Sequence, residues 1–141
     1  MWRSSQRSHA LHNTIKAFMT SAPRTVDANC HLISAKKLMA ECGFRHLPVL
    51  DRTKIVGIVS ERDIRRIEYV YRKHEISEVR LSDVCLFEPY CVEEDTPLEK
   101  ALDKMIAEKI GSVIVKRKGR VTGIFTTIDA CRVLKEMVAG K

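Results

Sequence analysis

The side chains of this 141-residue chain whose types and spacing could do chemistry fall in two short segments. One reads Gly57-Ile58-Val59-Ser60-Glu61-Arg62-Asp63, the other Gly123-Ile124-Phe125-Thr126-Thr127-Ile128-Asp129. In each, an apolar run ends at a hydroxyl residue, and an Asp follows three positions later, where a helix begins. One reading is a capping box, in which the hydroxyl accepts the N3 amide hydrogen and the N3 carboxylate accepts that of the N-cap. Such a cap stabilises by about 1 kcal/mol, and Asp at N3 suits the positive end of the helix dipole. The other reading is a nucleotide site. A helix N-terminus with a hydroxyl holds phosphate, and a nearby carboxylate accepts the hydrogens of a ribose diol. Spacing alone leaves both open.

The elements that position these segments come from an internal repeat. At an offset of 66 residues, without a gap, Pro23 meets Pro89, Val26 meets Val92, Leu32 meets Leu98 and Ala35 meets Ala101. Met39 meets Met105, Val49 meets Val115, Gly57 meets Gly123 and Asp63 meets Asp129 at the same offset. In each copy a Pro-x-x-Val segment is short and extended. A helix follows, with Leu32, Ala35 and Met39 in copy one, and Leu98, Ala101 and Met105 in copy two, at spacings of three and four. Two Val- and Ile-rich strands come next, His46–Leu50 with Ile55–Val59, then Val113–Val115 with Val121–Phe125. The last helix starts after Ser60 or Thr126. The expected fold is therefore α/β, of mixed α+β character: two β-α-β-β-α repeats packed about a pseudo-two-fold axis and preceded by an N-terminal helix. The expected division is an extension and lead-in helix over 1–17, repeat one over 18–70, a linker over 71–82 and repeat two over 83–138. Leu11, Ile15 and Phe18 give the lead-in its apolar spacing, and Ile67–Ser82 is expected to continue the preceding helix into a short connector.

Composition narrows the function classes. Of the net charge of +7, four charges (Arg3, Arg7, Lys16, Arg24) lie within residues 1–26, and the other 115 residues hold only +3. Lys116, Arg117, Lys118 and Arg120 surround Gly119 as a solvated hairpin tip or, in the rival reading, a phosphate-backbone contact. Neither basic segment interleaves aromatics as single-strand platforms do. Cys30, Cys42, Cys85, Cys91 and Cys131 form an odd set without knuckle spacing, which points to a reduced cytoplasmic protein without disulfides or zinc. The His9–His12 pair lacks a carboxylate or thiolate nearby, so no metal is expected. Residues 1–10 share the Ser- and Arg-rich composition of organelle transit peptides, but a docked N-terminus is expected. No apolar run is long enough to span a membrane. No nucleophile–base set or glycine-rich phosphate loop occurs, so an enzyme is not expected.

Met19-Thr20-x-x-Pro23-x-x-Val26, Phe44-Arg45-His46-Leu47-Pro48-Val49, Ile55-Val56-Gly57-Ile58-Val59-Ser60-x-x-Asp63, Ile110–Val115 and Gly123-x-x-Thr126-x-x-Asp129 together resemble a tandem pair of CBS domains, the module named after cystathionine β-synthase. The resemblance runs from Phe18 to Met137. It implies two clefts for an adenine nucleotide (AMP, ADP, ATP or NAD; in some members S-adenosylmethionine or a cyclic dinucleotide), a homodimer, and a regulatory action on an effector protein. Carried over by position, Ser60 and Asp63 serve phosphate and ribose in one cleft, with Arg62 and His46 reaching the phosphates and Thr25 and Pro48 bordering the adenine. Thr126 and Asp129 serve the other, with Cys91 and Ile114 at the adenine positions. Copy two has Ile128 in place of Arg62, Ser112 in place of His46 and Ile114 in place of Pro48, so the Asp63 cleft is expected to favour di- and triphosphates and the Asp129 cleft to take a less charged ligand or stay empty. The rivals are a nucleic-acid binder that uses the basic N-terminus and the Lys116–Arg120 tip, and a ligand-free structural dimerisation module.

Overall fold

The structure is a computed structural model that describes residues 13–71, 73–84 and 88–140, leaving aside the side chains of 73 and 74. Leu11, the His9–His12 pair, Arg3, Arg7, Cys85 and the Ser- and Arg-rich residues 1–10 lie outside the described residues. The chain forms two compact units. Pro23–Pro89 is one; the described residues up to Ala22, together with those from Tyr90 onward, are the other.

In the inner unit, strands β2 (Val26–Asp27), β3 (His46–Asp51) and β4 (Lys54–Ser60) form a sheet in that order, β2 parallel and β4 antiparallel to β3. Helix α1 (Leu32–Cys42) turns Leu32, Ala35 and Met39 onto it, one stripe at spacings of three and four. Gly43 ends α1 at φ 70°, the left-handed conformation that glycine adopts at least cost. Helix α2 (Glu61–Val70) follows β4 and buries Ile64. The core gathers these residues with Leu47, Val49 and Val59.

The segment after α2 departs from the expected helical continuation. The chain turns at an extended Tyr71 and forms two one-turn helices, α3 (Lys73–Ile76) and α4 (Leu81–Val84). It is also no mere connector, because Val79 and Leu81 are buried in the inner core. The reason lies at the start of α1, where the N-cap His31 makes no side-chain cap. Unsatisfied amides at a helix start need partners, and this segment supplies one of them. Leu32 N donates to the Val79 carbonyl at 2.8 Å, while Leu81 N donates to the Cys30 carbonyl at 2.9 Å.

The outer unit repeats this plan. Strands β1 (Thr20–Ser21), β5 (Cys91–Glu93), β6 (Ser112–Arg117) and β7 (Arg120–Thr126) form a sheet in the order β1-β7-β6-β5. Helices α5 (Leu98–Glu108) and α6 (Thr127–Val138) complete it, around a core that includes Ile15, Leu98, Ala101, Met105, Val113, Val115 and Phe125. The described part of the lead-in is one 3-10 turn, Ile15–Ala17, which the chain leaves at Phe18 to enter β1. Here Leu98 N donates to the Asn13 carbonyl and Ile15 N to the Thr96 carbonyl, each at 2.8 Å.

Asn13 stands 66 positions before Val79, and Ile15 stands 66 before Leu81. The repeat therefore extends further toward the N-terminus than Pro23. The straps are exchanged between the copies: the one that precedes copy one in sequence ties down copy two, and the one that precedes copy two ties down copy one. Backbone irregularities repeat as well. The register of each hairpin shifts at the same place, Val49/Leu50 and Val115/Lys116. Arg52 and Lys118 both turn with positive φ.

Candidate functional site

Each Ser/Thr-x-x-Asp segment sits where the last strand of its unit passes into the last helix, and both form complete capping boxes. In the inner unit Asp63 N donates to Ser60 Oγ at 3.1 Å, and Ser60 N donates to Asp63 Oδ2 at 3.0 Å. Glu61 N donates to the Arg45 carbonyl at 2.8 Å, so two of the first three helical amides are engaged within the unit. What a phosphate can use here is the Ser60 hydroxyl hydrogen and the exposed Arg62 side chain.

His46 stands opposite Ser60 in the β3–β4 ladder. Burial pushes its pKa below the usual histidine value, and the Arg45 guanidinium adds to this, while the Asp63 carboxylate works against both. The imidazole is therefore neutral at pH 7, a hydrogen-bonding group rather than a second cation beside Arg62. Pro48 is fully buried, and Thr25, one residue ahead of the paired Val26 and Val49, is exposed.

The outer unit places Ser112 opposite Thr126 and Cys91 opposite Ile114. Ile114 is fully buried and Cys91 half-buried. Burial raises the Cys91 thiol pKa, offset in part by Lys116, so the group is a protonated, apolar wall rather than a nucleophile.

The carboxylates of the two boxes differ. Among the described residues, Asp63 is half-buried and accepts only the Ser60 amide hydrogen. Asp129 is 6% exposed and accepts four hydrogen bonds. Thr126 N at 2.8 Å and Thr126 Oγ1 at 3.2 Å donate to Oδ2. Thr20 Oγ1 and an Arg132 guanidinium nitrogen, each at 3.1 Å, donate to Oδ1. A cavity of about 200 Å³ opens beside them, between Ala17–Thr20 and the Arg132, Val133 and Glu136 face of α6. That is below the ~300 Å³ at which drug-sized sites begin, so it has room for a sugar-sized group, and the rest of a nucleotide bound there would lie outside it.

Thr20 and Arg132 had no assigned role in the sequence reading. The signal for Arg132 was its place three residues after Asp129, on one helical face. Thr20 is marked in the sequence only by its place after Met19. Among the described residues no cluster of three or more His, Cys, Asp or Glu could hold a metal ion. Nor is any helix there long and apolar enough to cross a membrane.

Comparison with known proteins adds the wider setting. The family model of the CBS domain matches twice, over residues 15–69 and 81–136. Inosine-5'-monophosphate dehydrogenase of Methanocaldococcus jannaschii is 33% identical over 107 residues, 74% of this chain but 20% of that enzyme. Across the curated relatives matched, the chain spans 20–38% of their length. Among solved structures, CBSX2 in complex with AMP has a TM-score of 0.73 at 25% identity, covering 88% of this chain and 97% of that one. The CBS domain pair of MJ0100, in complex with 5'-methylthioadenosine and S-adenosyl-L-methionine, has a TM-score of 0.76 at 25% identity, covering 86% and 98%.

Proposed function

The chain belongs to the CBS-domain family, and from that premise we propose that it is a regulatory module that binds an adenosine-containing ligand and passes the signal to an effector protein. The observation that carries this reading is Asp63. A carboxylate offers about four acceptor positions, and in Asp63 only the one toward Ser60 N is used among the described residues. Both hydroxyls of a ribose can be received there, with Ser60 and Arg62 beside it for phosphate and Thr25 for the base. Similarity to a CBSX2 that holds AMP, and to a CBS pair that holds two adenosine-derived ligands, supports the ligand class.

Arg62 favours AMP, ADP or ATP over an uncharged nucleoside at this site, because an Arg–phosphate hydrogen bond is charge-assisted. The homodimer has its support in α6, whose Leu134, Met137 and Val138 are 61%, 70% and 79% exposed. Analytical ultracentrifugation of the full chain tests it.

The test of ligand binding is a thermal melt with AMP, ADP, ATP, NAD and S-adenosylmethionine, run on the full chain and on Asp63→Ala. A ligand at about a hundred times its Kd adds roughly 2.7 kcal/mol, a shift of several degrees. The expected result is a shift with one adenine ligand that disappears in the variant. If no ligand moves the melt, the boxes are helix caps and the structural reading replaces this one.

A further inference from the structure

The inference rests on the reading of Asp63 just given and concerns the repeat-related site. We propose that Thr20 sets the ligand selectivity of the Asp129 site: its hydroxyl stands where a sugar hydroxyl would bind and keeps the site from taking a ribose, while Asp63 stays open.

The acceptor count carries the argument. The four hydrogen bonds on Asp129 fill the about four positions of a carboxylate. Two belong to the helix cap and are made on Oδ2 by Thr126. The pair on Oδ1, from Thr20 and Arg132, holds the positions a ribose diol needs. A sugar can bind only by exchanging these donors for its own, with little net gain, whereas at Asp63 it adds bonds.

The Thr20 hydroxyl is held in place by the backbone. Thr20 pairs with Ile124 and Ser21 with Gly123 in the β1–β7 ladder, and Ala22 N donates to the Thr122 carbonyl at 3.0 Å. The neighbouring Met19 side chain lies directly on Gly123, where even one added carbon atom would collide with it. The repeat identifies which donor distinguishes the copies. Arg132 has Arg66 as its counterpart 66 positions earlier, so both copies carry a guanidinium, although among the described residues only that of Arg132 reaches its aspartate. The counterpart of Thr20, 66 positions later, is Leu86, whose side chain has no hydrogen-bond donor.

Calorimetric titration of the full-length chain with AMP tests the proposal, on wild type, Asp63→Ala, Asp63→Ala/Thr20→Val and Asp63→Ala/Thr20→Ser. Wild type is expected to bind one AMP per chain and Asp63→Ala none. Thr20→Val in that background gains binding by about tenfold or more, the worth of one hydrogen bond to a charged acceptor. Thr20→Ser, which keeps the hydroxyl, stays silent. The gain disappears when 2',3'-dideoxy-AMP replaces AMP. Circular dichroism melts confirm that each variant folds; if the valine variant does not, Thr20→Ala takes its place.

If wild type binds AMP through Asp63 and removal of the Thr20 hydroxyl gains nothing, the proposal is overturned and the nucleotide reading stands. If Asp63→Ala binds AMP as well as wild type does, the Asp129 site is open, and the proposal is again overturned. Binding by no protein in the series removes both.

Discussion

Thr20 and Asp129, 109 positions apart in the chain, meet in a 3.1 Å hydrogen bond that joins the strap of the outer unit to the cap of its last helix. Removing the carboxylate therefore undoes more than a cap. Asp63→Ala loses a capping box, about 1 kcal/mol. Asp129→Ala also loses buried hydrogen bonds to a charged acceptor, and its cost is expected near ~3 kcal/mol. Urea unfolding of the two variants checks the difference; equal midpoints would mean that Thr20 and Arg132 contribute nothing to stability.

Ile15 and Leu81 are the repeat-related anchors of the two straps, and both are fully buried. Alanine at either position is expected to cost about 2–5 kcal/mol, as for other buried large-to-small changes. Leu81→Ala is the more informative variant, since an ordinary linker would tolerate it with a change below about 0.5 kcal/mol.

Gly123→Ala is expected to destabilise the outer unit by about 1–3 kcal/mol, because the new methyl group collides with the Met19 side chain. Met19→Ala makes room for it. The double variant is expected to be more stable than the sum of the single losses predicts, and a double-mutant cycle on melting free energies reads this directly.

His46 gives stability a pH dependence of known sign. Its folded pKa lies below the unfolded value, chiefly through burial. The unfolded chain therefore binds the proton first, and stability is lost as pH falls from about 6.5 toward the folded pKa. His46→Gln is expected to flatten the stability profile in that window.

A phosphate beside His46 reverses that bias by favouring the imidazolium. AMP binding is then expected to take up a proton and to tighten as pH falls toward the usual histidine value of about 6.5, while adenosine binding stays level. Titration in buffers of different ionisation enthalpy measures the proton directly.

The parts of the site that were legible in the sequence are those made within one turn of chain. Ser60–Asp63 and Thr126–Asp129 show their capping geometry in four residues, and the 66-residue offset placed both in the same fold position. The Thr20 contact was not legible, because β1 is two residues long and too short to show a period. Val79 and Leu81 were hidden by the charged Glu75, Glu78 and Arg80 around them. Their burial depends on the unsatisfied amides of a helix far earlier in the chain, a demand that no local pattern announces. The full burial of Pro48 and Ile114 was hidden for the same reason, since side-chain burial depends on what packs over a strand.

The exchange of straps has a consequence for the order in which the protein can form during synthesis. The inner unit's strap and the sheet and helix it ties down all lie between Pro23 and Pro89, so these contacts can form once that stretch has left the ribosome. The outer unit must wait, with Ile15 and Thr20 already made but without partners until α5 and β7 emerge. A nascent chain stalled once Pro89 has emerged should thus hold the inner strap's contacts and an outer strap that has nothing yet to hold. A segment translated before the inner unit finds its place after it.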